Sequence, residues 1–210
     1  MSTVKAVVAG ATGRLGRHVV DVLTERGHRV VPVSRATGMD IVTGEGLGEA
    51  LTGAGVIIGV DKATAGFLAA KKAHEEFLRS GPIPVRILRA AQFHEFVGQL
   101  LDWRQGDVAY IPALPSQLVA CPTVAEELVG LALDPGSHAL ETPIPEIAGP
   151  RKEVLAEAAR LLGARRGVQV VGVDGSGMPD AEIAADCGFL PSPHAKLAGP
   201  AFEEWLGSQP

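Results

Sequence analysis

Cysteine is nearly absent from this chain. Cys121 and Cys187 stand far apart and match neither a metal-ligand spacing nor a disulfide-dense scaffold. Both read as ordinary small side chains, and a reducing compartment fits them. A basic excess is missing as well. The formal net charge of -5 argues against non-specific binding to nucleic acid or to an acidic membrane, while leaving room for a local basic pocket. No apolar run approaches the length that crosses a bilayer. The first residues enter a strand-like run directly, without the basic region and apolar core of a signal peptide. These absences predict a soluble, cytoplasmic chain. Neither an internal repeat nor a coiled coil is visible.

What is present suits a globular α/β protein. At 210 residues and 46% apolar content, one large domain, or a domain with a small lobe, can bury a core. Glycine reaches 26 residues and proline 15, without a collagen-like or low-complexity period. The prolines gather after Gly81, so a regular N-terminal half is expected to precede a more irregular C-terminal one.

The densest signal lies in VKAVVAGATGRLGRHVVDVLTERGHRVVPVSR, Val4 to Arg35. Val4 to Ala9 is apolar apart from Lys5, as a strand buried on both faces would be. Leu15, Val19 and Leu23 recur at helical spacing, Val22 widens the stripe, and Gly27 is the natural stop. Arg29 to Val33 is the next strand. The turn between strand and helix, Gly10-Ala11-Thr12-Gly13-Arg14-Leu15-Gly16, has a GxxGxxG spacing. Gly10 permits the tight turn, Gly13 leaves bare backbone for a pyrophosphate, and Gly16 lets the helix approach the strand. The amide groups of the first helical turn then face an anion. Strand, glycines, helix and second strand are in register, so dinucleotide binding is favoured over a ligand-free glycine turn. Gly10, Thr12, Gly13, Arg14, Leu15 and Gly16 are the expected cofactor contacts.

The second strand ends in Ser34-Arg35. An acidic residue there would accept from the hydroxyls of an unphosphorylated ribose, and none is present. Arg35 offers a guanidinium suited to a 2′-phosphate, with Arg14 within reach of the same group. The expected cofactor is NADP, with NAD less favoured; a solvated surface arginine is the bland alternative. Asp40 is a candidate for the adenine ring. Leu47 to Leu51 reads as a short helix and Val56 to Val60 as a buried strand. A helix from about Thr64 to Arg79 and a strand from Pro84 to Leu88 complete a crossover, which should be right-handed. Open α/β sheets bind ligands beyond the carboxyl ends of their strands, so Ala90, Ala91, Gln92 and Phe93 are candidates for the nicotinamide end. His94 is a candidate to face substrate, against an ordinary loop or helix histidine. Its neighbour Glu95 finds no third ligand for a metal.

Further on, Ile111 to Pro115 and Leu118 to Ala120 are short strand or loop pieces. Pro122 to Leu133 is a helix. Ala139 to Ile147 reads as a strand broken by Pro143 and Pro145, which suggests an edge. Arg151 to Leu162 is an amphipathic helix and Val168 to Val173 a strand. Phe202, Trp205 and Leu206 can pin the tail.

Taken together, these stretches resemble the atypical short-chain dehydrogenase/reductase superfamily, close to its NmrA-like branch. GATGRLG, Ser34-Arg35, and the pair of Asp40 and VIIGV fit its cofactor half, which adds Val60 to the expected contacts. FLAAKKAHEEFLRSG and PVRILRAAQFHEFVGQ resemble the helix and strand at the ribose and nicotinamide end. IAGPRKEVLAEAARLLG and PHAKLAGPAFEEWLGSQP resemble its late elements. The resemblance implies a Rossmann-like, mostly parallel sheet with helices on both faces, shortened by about one strand, plus a small C-terminal substrate-side lobe. Residues 1–135 would form the cofactor-binding core and 136–210 the substrate-side region, packed as a single structural unit.

Two departures bear on activity. Val60 runs at once through Asp61 to Thr64 into the FLAAKKAHEEF helix, so a helix-strand segment that carries a serine or threonine in such relatives is missing. Classical members also place a tyrosine four residues before a lysine, and the aligned pair here is Phe67 and Lys71. Phe67 has no proton to give, and Tyr110 is the only tyrosine. Lys71 keeps the implied ribose and catalytic role; its alternative is a solvent-facing lysine paired with Glu75. The leading expectation is an oxidoreductase-like protein passing hydride to a small-molecule acceptor such as a quinone or conjugated carbonyl. A non-catalytic dinucleotide sensor is the second, and a shortened copy that binds cofactor poorly the third. The oligomeric state is left open.

Overall fold

The computed structural model describes residues 3–39, 46–59, 75–76, 79–80, 85–104, 106–136, 143–176 and 190–209. Along the chain these form β1 (Lys5–Ala9), α1 (Arg14–Glu25), β2 (Arg29–Val33), α2 (Leu47–Leu51) and β3 (Val56–Gly59). Then come β4 (Arg89–Ala90), α3 (His94–Asp102), β5 (Val108–Pro112), β6 (Pro115–Ser116) and α4 (Cys121–Leu133). The remainder is β7 (Glu146–Ala148), β8 (Glu153–Val154), α5 (Leu155–Arg166), β9 (Gln169–Val173), β10 (Lys196–Leu197) and α6 (Phe202–Ser208). The fold is α/β, with mostly parallel strands and flanking helices. The chain divides into two compact units, one from Met1–Thr64 with Cys121–Ala139, the other from Ala65–Ala120 with Leu140–Pro210.

In the first unit the sheet order is β2-β1-β3, and both pairings are parallel. The central strand carries Ala6, Val7 and Val8 fully inside. Successive side chains of a strand point to opposite faces, so an uninterrupted apolar run needs cover on both. Val7 packs with Val33 and with Ala50 of α2. The stripe Leu15, Val19, Val22 and Leu23 of α1 is buried, as its spacing predicts, and α1 packs against α4. An ion pair between Arg26 and Glu126 spans those two helices at the surface.

In the second unit a parallel sheet of order β10-β7-β4 stands beside the parallel pair β5-β9 and the antiparallel pair β6-β8. Val97 and Leu101 of α3, Ile111 of β5, Leu155 and Leu162 of α5, and Phe202 of α6 share one apolar core. Two expectations are corrected here. Residues 85–88 form no strand; pairing begins at Arg89, whose amide donates to the Pro145 carbonyl over 2.9 Å. The segment opposite is Pro143-Ile144-Pro145, and its prolines have no N–H to extend the ladder backwards. For the same reason β7 starts at Glu146, and it is the central strand of its sheet rather than an edge. The prolines sit before the ladder, not in it.

The helix predicted over Arg151 to Leu162 forms later, as α5, because Glu153 and Val154 pair with Ser116 and Pro115 first. It then runs through Gly163. A Cβ on Gly163 would lie 2.7 Å from the Val168 carbonyl oxygen, so glycine there lets α5 lie close to β9. The expected elements at residues 64–74 and 139–142 lie outside the described residues, as does the shortened junction after Val60.

Candidate functional site

The glycine turn is built as its spacing implies. Gly10 has φ 81°, the left-handed conformation that only glycine adopts without strain. Its amide, and that of Ala11, donate to the Val33 carbonyl over 2.9 and 3.4 Å, tying the turn to the end of β2. The Gly13 amide turns back to the Gly10 carbonyl over 2.9 Å. α1 then begins at Arg14, with Gly13 as its N-cap and no side-chain hydrogen bond capping it. There is no acidic residue in the first turn either. Helix starts carry amide groups without intrahelical partners and the positive end of the helix dipole. Among the described residues, neither a capping side chain nor a first-turn carboxylate neutralises this one.

The cradle is also closed to side chains. A Cβ on Gly16 would lie 2.1 Å from the Gly10 oxygen and 2.9 Å from the Ala11 Cα, so α1 touches the turn directly. A Cβ on Gly13 would lie 3.1 Å from that same oxygen. Leu15 and Gly16 face inward, whereas Thr12, Gly13 and Arg14 are exposed.

Ser34 leaves β2 beside this turn. Its amide donates to Thr37 Oγ1 over 2.9 Å, and its carbonyl accepts from Thr37 Oγ1, Thr37 N and Met39 N. Backbone and side chain of Thr37 thus fix the segment Ser34–Thr37, a 3₁₀ turn that Arg35 opens. The Ser34 hydroxyl is buried and has no hydrogen-bond partner. Buried polar atoms are almost always satisfied, so an orphan beside an uncapped helix start is a place where a polar ligand fits.

The remaining candidates belong to the second unit or lie outside the described residues. Ala90 ends β4 and is exposed. Gln92 is half-buried; its carbonyl accepts from Val119 N over 2.9 Å, and its Oε1 accepts from Ser116 Oγ over 3.4 Å. His94, at the start of α3, is fully buried. Its ring lies 5.4 Å from that of Phe202 and 5.2 Å from that of Trp205, centre to centre. Burial lowers its pKa, against weaker opposition from the Pro200 carbonyl and from Glu153 and Glu95. Asp40, Val60 and Lys71, with Phe67, lie outside the described residues. Tyr110 is 65% exposed on β5.

Some polar residues escaped the sequence reading. Ser116 and Gln117 are buried, and Gln117 Nε2 donates to the Gly149 carbonyl over 2.8 Å. A polar pair between Leu114-Pro115 and the apolar Leu118-Val119-Ala120 was the available signal. Glu146 at the start of β7 accepts from both the amide and the hydroxyl of Ser192, and Arg89 bridges it to Glu75. Burial would raise the Glu146 pKa, but the Ser192 donors, His194 and Arg89 outweigh it and hold the carboxyl below its usual value. The Arg89 pKa is raised, chiefly by its hydrogen bond to Glu75. Among the described residues, no cluster of three or more His, Cys, Asp or Glu can hold a metal. Among them, too, no helix is long and apolar enough to cross a membrane.

The chain is similar in fold to several solved enzymes. The Bordetella bronchiseptica enzyme WbmH, solved with NAD+, matches with a TM-score of 0.64 at 11% identity, over 96% of this chain and 95% of that one. The fold is Rossmann-like. The dTDP-4-dehydrorhamnose reductase of Bacillus anthracis, solved with NADP, gives 0.60 at 11% identity, over 98% and 93%. An NADPH-dependent quinone oxidoreductase of Escherichia coli gives 0.52 at 16% identity, over 88% and 87%. No family model matches the chain, and no curated protein matches it in sequence. At these identities the likeness establishes the fold alone.

Proposed function

We propose that the chain binds a nicotinamide dinucleotide, NADP in preference to NAD, and acts as an oxidoreductase-like protein of the atypical short-chain dehydrogenase/reductase kind. The observation that carries this reading is the uncapped start of α1, with a glycine turn too tight for side chains. An anion there meets bare amide groups and a helix dipole of the right sign. The orphaned Ser34 hydroxyl supplies a further polar contact on the adenosine side. The guanidinium of Arg35, with that of Arg14, is assigned to the 2′-phosphate. Ala90 and Gln92, with Asp40, Val60 and Lys71, are retained as cofactor contacts on the strength of the sequence alone. That the solved structures of like fold include enzymes bound to NAD+ and to NADP supports a nicotinamide cofactor in general.

When bound, the cofactor would supply a hydride at its nicotinamide ring to a small quinone or carbonyl acceptor. The chain's own task is to bind, orient and exclude water, which accounts for much of catalysis in such systems. A second reading, a non-catalytic NAD(P)H sensor, draws on the lack of a tyrosine at the family's proton-donor position. Phe67 stands at the family's proton-donor position, and the sole tyrosine, Tyr110, is exposed on β5.

Calorimetric titration with NADPH and NADH tests the binding, and absorbance decay of NADPH with a panel of small quinones tests turnover. Tighter NADPH binding with turnover above the free-cofactor rate supports the enzyme. Binding without turnover selects the sensor. No heat with either cofactor at millimolar concentration overturns both.

A further inference from the structure

We infer that His94 is a pH-sensitive latch for the C-terminal helix α6: in its neutral form it seals the helix onto the rest of the second unit, and gaining a proton releases it. The inference stands on the geometry of the tail and is independent of the proposed function.

His94 Nε2 lies 3.0 Å from the Pro200 carbonyl oxygen. A carbonyl only accepts, so Nε2 carries the proton and Nδ1 holds a lone pair in the neutral ring. That Nδ1 is buried and has no hydrogen-bond partner. The ring packs against Phe202 and Trp205, two of the tail's large side chains. Thus one titratable group touches the tail at its entry and along its apolar face. A second proton would put a charge into this apolar contact at an atom that nothing accepts from, which is costly unless water enters.

The charged groups around the latch do not remove that cost. Glu153, from β8, uses Oε1 to accept from the Phe202 amide over 3.1 Å and from Arg151 Nε over 3.3 Å. Its other oxygen is buried and unpartnered. Glu95, on the same helix as His94, also favours the charged ring, but burial is the larger influence and keeps the histidine pKa lowered. The tail has further contacts that do not involve the histidine. Glu204 accepts from the Ala201 amide over 3.0 Å, and Arg165 donates to the Leu206 carbonyl.

The sign follows from linkage. A histidine held below its ordinary pKa of about 6.5 contributes its full stabilisation above that value. The contribution is lost as pH falls through the lowered folded-state pKa. Tail docking is therefore strongest at and above about pH 6.5 and weakens as pH falls below it.

The chain reports on this itself. It has only two tryptophans, Trp103 and Trp205. In Trp103→Phe protein, Trp205 alone emits, with its ring 5.2 Å from that of His94. From about pH 7.5 to about pH 5 its emission should shift to the red reversibly, while hydrogen-exchange protection of residues 202–208 drops at least about tenfold and that of α5 persists. His94→Gln retains an N–H for the Pro200 carbonyl and has no proton to gain, so its tail should stay protected across that range. Loss of the tail at the same pH in His94→Gln, or no loss in the parent, overturns the latch. If His94→Gln fails to fold, the His94 ring resonance of the parent decides. Titration coincident with tail release supports the latch. A ring still neutral when the whole protein unfolds overturns it.

Discussion

Glycine brings backbone against backbone in both units, with opposite outcomes. In the first, a Cβ on Gly16 would sit 2.1 Å from the Gly10 oxygen. In the second, a Cβ on Gly149 would sit 1.7 Å from the Leu118 oxygen. Around Gly149 the polar groups meet one another: Gln117 Nε2 donates to its carbonyl, and its amide donates to the Gln117 carbonyl. Around Gly16 they do not. The helix start has no side-chain cap and the Ser34 hydroxyl has no partner. A glycine at close approach is thus no sign of a ligand by itself. The informative feature is what the approach leaves unsatisfied.

The contrast can be broken most forcefully at Gly149. Gly149→Ala should destabilise the protein by about 3 kcal/mol or more, because a carbonyl must move. Urea denaturation would show it, and a change under about 1 kcal/mol would mean that the crossing is looser than described. Next in size is Gly13→Asp, which offers α1 a carboxylate of its own. Stability should fall by about 1 kcal/mol, since aspartate is a good cap but its Cβ would lie 3.1 Å from the Gly10 oxygen, which must give way. NADPH affinity, by calorimetry, should fall about a hundredfold as the anion's place is taken. Arg35→Ala should weaken NADPH by roughly tenfold and NADH by less than about twofold, the loss of one charge-assisted contact. Equal effects would remove the 2′-phosphate assignment. Smallest is Ser34→Ala. Removing an orphaned hydroxyl should leave the cofactor-free protein as stable or more so, by up to about 1 kcal/mol, yet cost about fivefold in NADPH affinity.

The same contrast explains how much of the molecule the sequence disclosed. The first unit was legible because its signals are local. β1, the turn, α1 and β2 are consecutive, and period and turn chemistry placed each within a residue or two. Gly16 was assigned to close packing, and it packs closely. The second unit was less so, because its strands are short and depend on partners far along the chain. Two residues of β4 pair with β7 at Glu146 and Ile147, and nothing near Arg89 announces that. Pro143 and Pro145 read as breaking a strand and marking an edge, whereas they precede β7, which is the central strand of its sheet, and its partners are not local information. Thr37, which fixes Ser34, carried no spacing motif. Ser116 and Gln117 carry no motif of their own, and only the return of the chain at Gly149 shows why they are buried.

The first unit's makeup also sets an order of events during synthesis. α1 packs against α4, yet α4 belongs to Cys121–Leu133, on the far side of a long stretch that builds the other unit. A nascent chain that has emerged only as far as β3 has its three-stranded sheet in hand but lacks this cover. Early completion of the first unit is therefore unavailable on the ribosome, and the N-terminal sixty or so residues must wait, partly uncovered, for a later helix.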